Sequence, residues 1–167
     1  GYAPTGPAPD GDYHLGALMS DLIDLHAALG APADAVLIGH DWGGWTANAL
    51  AAYPDSPFAA HISMALPPIR VIASSSFGLA RTAKMAAIQL RNSWYILANQ
   101  VPGLSERFFA RLVSRLWHDW SPGHDARTDL AHLLESVPDV ERARAVGSYY
   151  RAPARPSCLC LLRQGPP

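Results

Sequence analysis

Apolar residues along the first third of the chain fall into three successive patterns. Leu15, Leu18, Leu22, Leu25 and Leu29 recur at steps of three and four, which predicts a helix with all five on one face. Asp21 and Asp24 turn away from that face, and Gly30 supplies the stop. After Pro32 and Asp34, the run AVLIG has no polar alternation, the pattern of a parallel strand buried on both faces. An Ala-rich helical stretch then runs from Trp45 to Tyr53 and is halted by Pro54. A second strand-like run covers Phe58 to Ala65, ahead of Pro67 and Pro68.

Helix, strand, turn, helix and strand in that order make half of an α/β sheet. From Ile69 to about Tyr150 the strand signal disappears. Amphipathic helical stretches rich in Arg, Leu and Trp replace it, broken at VPG, SPG and VPD, as in a helical insertion. The run SCLCLL reads as one more buried strand, five residues before the last residue. The opening GYAPTGPAPDGDY is dense in Gly and Pro and reads as a loop that something normally precedes.

Composition narrows the classes. At 167 residues and 49% hydrophobic, the chain has enough apolar material for about one domain. Thirteen basic residues against 14 acidic ones, without a Lys/Arg run, give no stripe for nucleic acid or anionic lipid. No apolar run reaches the roughly 18 residues a membrane span needs, and no signal-peptide pattern opens the chain, so the cytoplasm is the expected compartment. Cys158 and Cys160 lie on one face of the last strand, poor geometry for a disulfide and too few ligands for zinc; both are expected as reduced core residues.

Candidate chemistry centres on GHDWGG, between the first strand and the second helix. Gly39, Gly43 and Gly44 surround one carboxylate, Asp41. Small residues there permit the tight turn that lifts a side chain above the sheet edge, beside backbone NH groups and a helix N-terminus: a nucleophile elbow. The usual G-x-S-x-G form carries serine for acyl transfer. With aspartate the carboxylate attacks an sp3 carbon and leaves an alkyl ester on the protein. The competing reading is a plain helix cap.

GHDWGG, the YP about ten residues on and SMALPP at the end of the next strand resemble the α/β-hydrolase superfamily, specifically its epoxide hydrolase and haloalkane dehalogenase branch. The opening loop GYAPTGPAP is similar to that family's as well. The resemblance implies Asp41 as nucleophile and the backbone NH of Trp42 as an oxyanion donor. It leaves the Trp42 side chain open between a halide contact and an apolar wall, and His40 as structural. Epoxide hydrolases carry two cap tyrosines that hydrogen-bond the epoxide oxygen. Their spacing matches Tyr95 in YILANQVPG, five residues before Gln100, and Tyr150 in SYYRAP, with Tyr149 as the alternative register. Trp94, Trp117 and Trp120 are expected to pack or line the cap.

The second HDW, His118 to Trp120, is followed by SPGHD. No ligand signature fits His118, Asp119, His124 and Asp125, so a solvated helix end and a turn at Pro122 and Gly123 are expected, with no metal and no cofactor. The family's mechanism also needs a histidine on a loop after the last strand, oriented by a second acid, and an HG-x-P loop before the opening segment; no histidine follows His132. The expected organisation is therefore a partial α/β-hydrolase fold: a core with the elbow at 1–68, a helical cap at 69–152, and the truncated start of a next core strand at 153–167. The expected substrate is a small apolar epoxide or related molecule. Haloalkane dehalogenation and a non-catalytic, pseudogene-like fragment are the alternatives, and the oligomeric state stays open.

Overall fold

A computed structural model describes residues 2–66 and 79–154. The described residues gather into two units, one of residues 14–66 with 79–82, the other of residues 2–13 with 83–154.

The first unit begins with α1, Leu15–Ala28. Gly30, at φ 56°, ends it in the left-handed conformation that a glycine takes without strain. The Ala31 NH donates to the His26 carbonyl and the Gly30 NH to that of Ala27, the two bonds of a Schellman stop. Asp21 and Asp24 face solvent as expected. The leucine face is not buried along its whole length: Met19 is the buried residue of α1, while Leu25 is 51% and Leu29 72% exposed. The helix packs on α2 (Trp42–Ala51), and in its last turn His26 meets the Phe58 ring at 5.1 Å.

Strands β1 (Val36–His40) and β2 (Ala60–Met64) pair in parallel, with Ile38 opposite Ile62 and Gly39 opposite Ser63. Helix α2 connects them, as a parallel pair requires. It lies on the face that carries Gly39 and Ser63, with Ala47 and Leu50 wholly buried. Burying one leucine is worth about 2 kcal/mol, so α2 is the main apolar cover of this small sheet. The opposite face does not match the expectation of a strand buried on both sides. Val36, Ile38, Ile62 and Met64, at alternate positions, are all exposed. The continuous apolar run thus records two faces that suit apolar cover, of which the described residues cover one.

Beyond its opening loop the second unit is built of helices: the end of α3 (Leu79–Asn92), then α4 (Trp94–Asn99), α5 (Leu104–Arg107), α6 (Phe109–Trp120), α7 (Arg127–Ser136) and α8 (Val140–Arg151). A 3-10 turn follows at Ala152–Ala154. Phe109, Val113, Val137 and Ala143 form its core, with Leu130, Leu133, Leu134 and Val146 packed around them. Asp139 caps α8, its side chain accepting from the Arg142 NH at 2.8 Å. That bond, outweighing a small burial cost, keeps the Asp139 carboxyl below its usual range.

The Gly/Pro-rich opening is irregular, as its composition predicts, yet it is tied down. The Ala3 NH donates to the Ser136 carbonyl, the Ala8 NH donates to the Tyr13 hydroxyl at 2.8 Å, and Tyr13 is buried against Ala145, Ala152 and Tyr149. The predicted strand SCLCLL, with Cys158 and Cys160, lies outside the described residues, as do residues 67–78.

Candidate functional site

Asp41 stands between the last residue of β1 and the first of α2, at φ 53°, ψ −119°. Few non-glycine residues take such a backbone, because Cβ meets the neighbouring peptide; the cost is about 1–3 kcal/mol. Two glycines make the turn possible. A Cβ on Gly39 would overlap the Gly43 carbonyl and sit 2.8 Å from the Gly44 N. A Cβ on Gly44 would meet the Met64 carbonyl at 2.9 Å and the Ser63 Oγ at 3.0 Å. Gly43 is different: nothing lies within 4 Å of where its Cβ would be, so the turn does not require a glycine there.

The turn is anchored on both sides. The Asp41 NH donates to the Met64 carbonyl, prolonging the β1–β2 pairing by one residue, and the Asp41 carbonyl accepts from the Trp45 NH at 3.0 Å. Asn48 donates to the Ser63 Oγ at 3.1 Å, and Ser63 donates onward to the Gly44 carbonyl, which ties α2 to β2. The side chain of Asp41 is exposed. Although Asp41 holds the N-cap position, its carboxylate accepts no capping hydrogen bond from α2. The capping role weighed against a chemical one therefore has no bond to stand on.

Helix α2 starts at Trp42, three residues before the predicted start, so the helix N-terminus is directly beside Asp41. Trp42 is half-buried, its ring 6.2 Å from that of Trp45. His40, the last residue of β1, is exposed.

In the helical unit, Tyr95 from α4 and Tyr150 from α8 come together. Their ring centroids are 5.6 Å apart at 87°, an edge-to-face contact, although 55 positions separate them in sequence. Trp120 packs on the Tyr95 ring at 5.2 Å. Tyr149 instead stacks on Tyr13 at 4.9 Å, so it is Tyr150 that shares the cleft described next with Tyr95. That cleft has a volume of about 120 Å³ and runs between the tyrosines and the apolar sides of α6, α7 and α8.

A buried polar network beneath the tyrosines has no counterpart in the sequence reading. Gln100 donates to the Tyr150 carbonyl at 2.8 Å, and Asn99 to the Tyr95 carbonyl at 2.9 Å. Arg151 donates to the Glu106 carboxylate at 2.8 Å, with the Glu106 side chain only 2% and that of Arg151 13% exposed. The other carboxylate oxygen of Glu106 accepts from the Gly103 NH and the Ser105 hydroxyl. Burial pushes the Glu106 carboxyl up, but the backbone NH bonds and the Arg151 guanidinium outweigh it, and the group titrates below its usual range. The spacing G-L-S-E, an acid three residues into a helix reaching back to the NH before it, was the available clue. Its pairing with Arg151, 45 residues on, has no local signature.

The second HDW engages its neighbours. Asp119 accepts from Arg115 at 2.8 Å and contacts His118 at 3.2 Å; Asp125 pairs with Arg127; His124 bonds Asp129 at 2.8 Å. The Arg115 and His118 bonds hold the Asp119 carboxyl low. Gly123, at φ 85°, makes the predicted turn. Among the described residues no group of three or more His, Cys, Asp or Glu side chains is placed to hold a metal, and none of their helices is long and apolar enough to cross a membrane.

A parallel strand pair bridged by a helix that springs from a strained acid-bearing turn, and a second unit of helices, define an α/β protein. The family model described as the alpha/beta hydrolase family matches residues 1–163, and the chain belongs to that family. No curated protein and no solved structure matches it. Membership makes the chain a hydrolase in general terms, with a small molecule as its class of substrate.

Proposed function

We propose that the chain carries the epoxide-opening chemistry of an epoxide hydrolase, with Asp41 as nucleophile on a nucleophile elbow and the helical unit in the role of a cap. The observation that carries this reading is the Asp41 backbone at φ 53°, ψ −119°, with the carboxylate exposed and uncapped at the start of α2. A strained conformation at an exposed acid that caps nothing has no structural benefit to offset its cost, and such strain gathers at functional sites.

In the proposed step a carboxylate oxygen of Asp41 attacks an epoxide carbon. The C–O bond to the ring oxygen breaks, that oxygen takes the proton of Tyr95 or Tyr150 while the other phenol hydrogen-bonds it, the resulting tyrosinate is reprotonated from water, and an alkyl ester of Asp41 remains. Hydrolysis of the ester passes through a tetrahedral oxyanion, for which the Trp42 NH at the helix start is a fitting donor. It also requires an activated water.

The tyrosine pair favours an epoxide over a halide. An epoxide's leaving oxygen stays on the substrate and needs a proton donor, which phenols supply at neutral pH, whereas a departing halide needs none. Trp42 beside Asp41 keeps haloalkane dehalogenation as the second reading. Incubation with styrene oxide and, separately, with 1-chlorobutane separates the two. Covalent uptake of the epoxide that slows in Tyr95→Phe and Tyr150→Phe supports the proposal. Chloride release indifferent to both substitutions supports the second reading instead.

A further inference from the structure

The last carbonyls of a helix have no partner within it, and the two helices that carry Tyr95 and Tyr150 supply partners to each other. Gln100, directly after α4, donates from Nε2 to the Ile96 carbonyl of its own helix at 3.2 Å and to the Tyr150 carbonyl of α8 at 2.8 Å. Its amide carries two N–H donors, enough for both bonds. In return Arg151, the last residue of α8, reaches the Asn99 carbonyl at the end of α4 at 3.4 Å. Two further bonds fix the guanidinium there: Nη2 donates to the Glu106 carboxylate at 2.8 Å and to the Arg144 carbonyl of α8 at 3.1 Å. Gly147 leaves the room for it. A Cβ at that position would lie 2.7 Å from Arg151 Nη2 and 3.2 Å from Cζ, and a glycine inside a helix is otherwise a cost relative to alanine.

We infer that Gln100 and Arg151 are positioning residues for epoxide opening, acting through the two phenols. Together they clamp the ends of α4 and α8, so that the Tyr95 and Tyr150 rings keep their edge-to-face contact at 5.6 Å and both hydroxyls serve one oxygen. The catalytic part of this inference rests on the epoxide reading; the clamp itself does not. An oxygen met by two donors at once tolerates little drift of either, because hydrogen bonds weaken steeply away from their preferred geometry. The clamp acts on the backbone beside each phenol: Gln100 holds the Tyr150 carbonyl, Arg151 is the next residue after Tyr150, and the Asn99 side chain holds the Tyr95 carbonyl at 2.9 Å.

The test combines two readouts on the full chain. Fluorine NMR of chain labelled with 3-fluorotyrosine, with the Tyr95 and Tyr150 resonances assigned from Tyr95→Phe and Tyr150→Phe, reports phenol placement. Uptake of styrene oxide by unlabelled chain, followed by intact mass over a range of concentrations, reports the chemistry. Gln100→Met keeps the side-chain length and removes both donors. It is expected to move the Tyr150 resonance toward the value seen when Tyr95→Leu takes away the neighbouring ring. It is also expected to lower the maximal rate of uptake about tenfold at unchanged half-saturation. Added to Tyr150→Phe it is expected to lower the rate no further, whereas a general loss of structure lowers both backgrounds alike. Gly147→Ala displaces the guanidinium while alanine's helix preference favours folding, and it is expected to act in the same direction. If Gln100→Met does not fold, judged by circular dichroism, Gly147→Ala decides alone. A Tyr150 resonance unmoved by the substitutions overturns the inference, as does an uptake rate that they leave intact or that falls equally with and without the Tyr150 hydroxyl. Resonances that move as expected in a chain whose parent takes up no styrene oxide leave the clamp standing and remove the epoxide chemistry.

Discussion

Replacing Asp41 by glycine and by alanine asks whether the turn stores strain. Both substitutions delete the carboxylate, and neither removes a capping bond, because Asp41 makes none. They differ in the backbone. At φ 53°, ψ −119° alanine keeps the strain of about 1–3 kcal/mol, while glycine relieves it. Against this, glycine's greater freedom in the unfolded chain costs about 0.5–1 kcal/mol. Asp41→Gly is therefore expected to be more stable than Asp41→Ala by about 0.5–2 kcal/mol. At a helix-interior position the same comparison favours alanine by about 1 kcal/mol, so the sign itself is diagnostic. Urea titrations followed by circular dichroism are expected to show midpoints about 0.3–1 M apart, for a slope of about 2 kcal/mol/M. An alanine variant as stable as the glycine variant, or more so, would falsify the strained turn and with it the argument from strain to function.

Other consequences concern the glycines, the buried pair, the tyrosines and the bare sheet face. Gly39→Ala drives a methyl group into the Gly43 carbonyl and should cost about 3 kcal/mol or more, whereas Gly43→Ala, with open space around it, should be neutral within about 1 kcal/mol; thermal melts of the two variants make the comparison. Glu106→Ala strands the buried Arg151 guanidinium and should destabilise by about 3–5 kcal/mol. Because the folded Glu106 titrates below its usual range, its contribution is complete above the unfolded pKa of about 4.3 and lost as pH falls through the folded value. Urea midpoints measured from pH 6 down to pH 3 should therefore fall more steeply for the parent chain than for Glu106→Gln; parallel slopes would argue against the pairing. Tyr95→Phe and Tyr150→Phe should each slow uptake of styrene oxide, followed by mass spectrometry of the intact chain, about tenfold to a hundredfold. Ile38→Thr with Ile62→Thr should lower binding of a hydrophobic dye, since both side chains lie exposed on one sheet face.

Existence and order of the elements were legible because each follows from local rules. The α1 periodicity, the Gly30 stop, the β1 run and the Gly123 turn all lie within a few residues of the signals that specify them. What the sequence did not disclose was the partner of each surface. Leu25 and Leu29 continue the steps of three and four that begin at Leu15 and Leu18, yet both stay exposed among the described residues. The continuous apolar run of β1 likewise says that both faces suit burial, and only the structure says which face α2 takes. The early start of α2 was missed because Gly43 and Gly44 are poor helix formers, a reading that holds in isolation and fails where the strand and the helix dictate the backbone.

The site divides in the same way. The tight turn at Asp41 was visible because glycines around a lone carboxylate after an apolar run are a compact signal. That Tyr95 and Tyr150 belong together was suggested only by the resemblance to a family spacing, since an edge-to-face contact between α4 and α8 leaves no mark on either segment. Glu106 and Arg151 escaped notice because each looks like an ordinary helix-surface charge until the fold buries them together. The role of His118 to Trp120 as a helix end was readable from the Pro-Gly that follows, and its ion pairs run to residues at most five positions away.

The account rests on the reactivity of one exposed carboxylate, and peptide mapping tests it directly. After incubation with styrene oxide and proteolysis, the peptide containing Asp41 is expected to gain the full mass of the epoxide, with fragmentation placing the ester on Asp41 and no such peptide in Asp41→Asn. Modification that spreads over several carboxylates, or that persists unchanged in Asp41→Asn, contradicts the central claim.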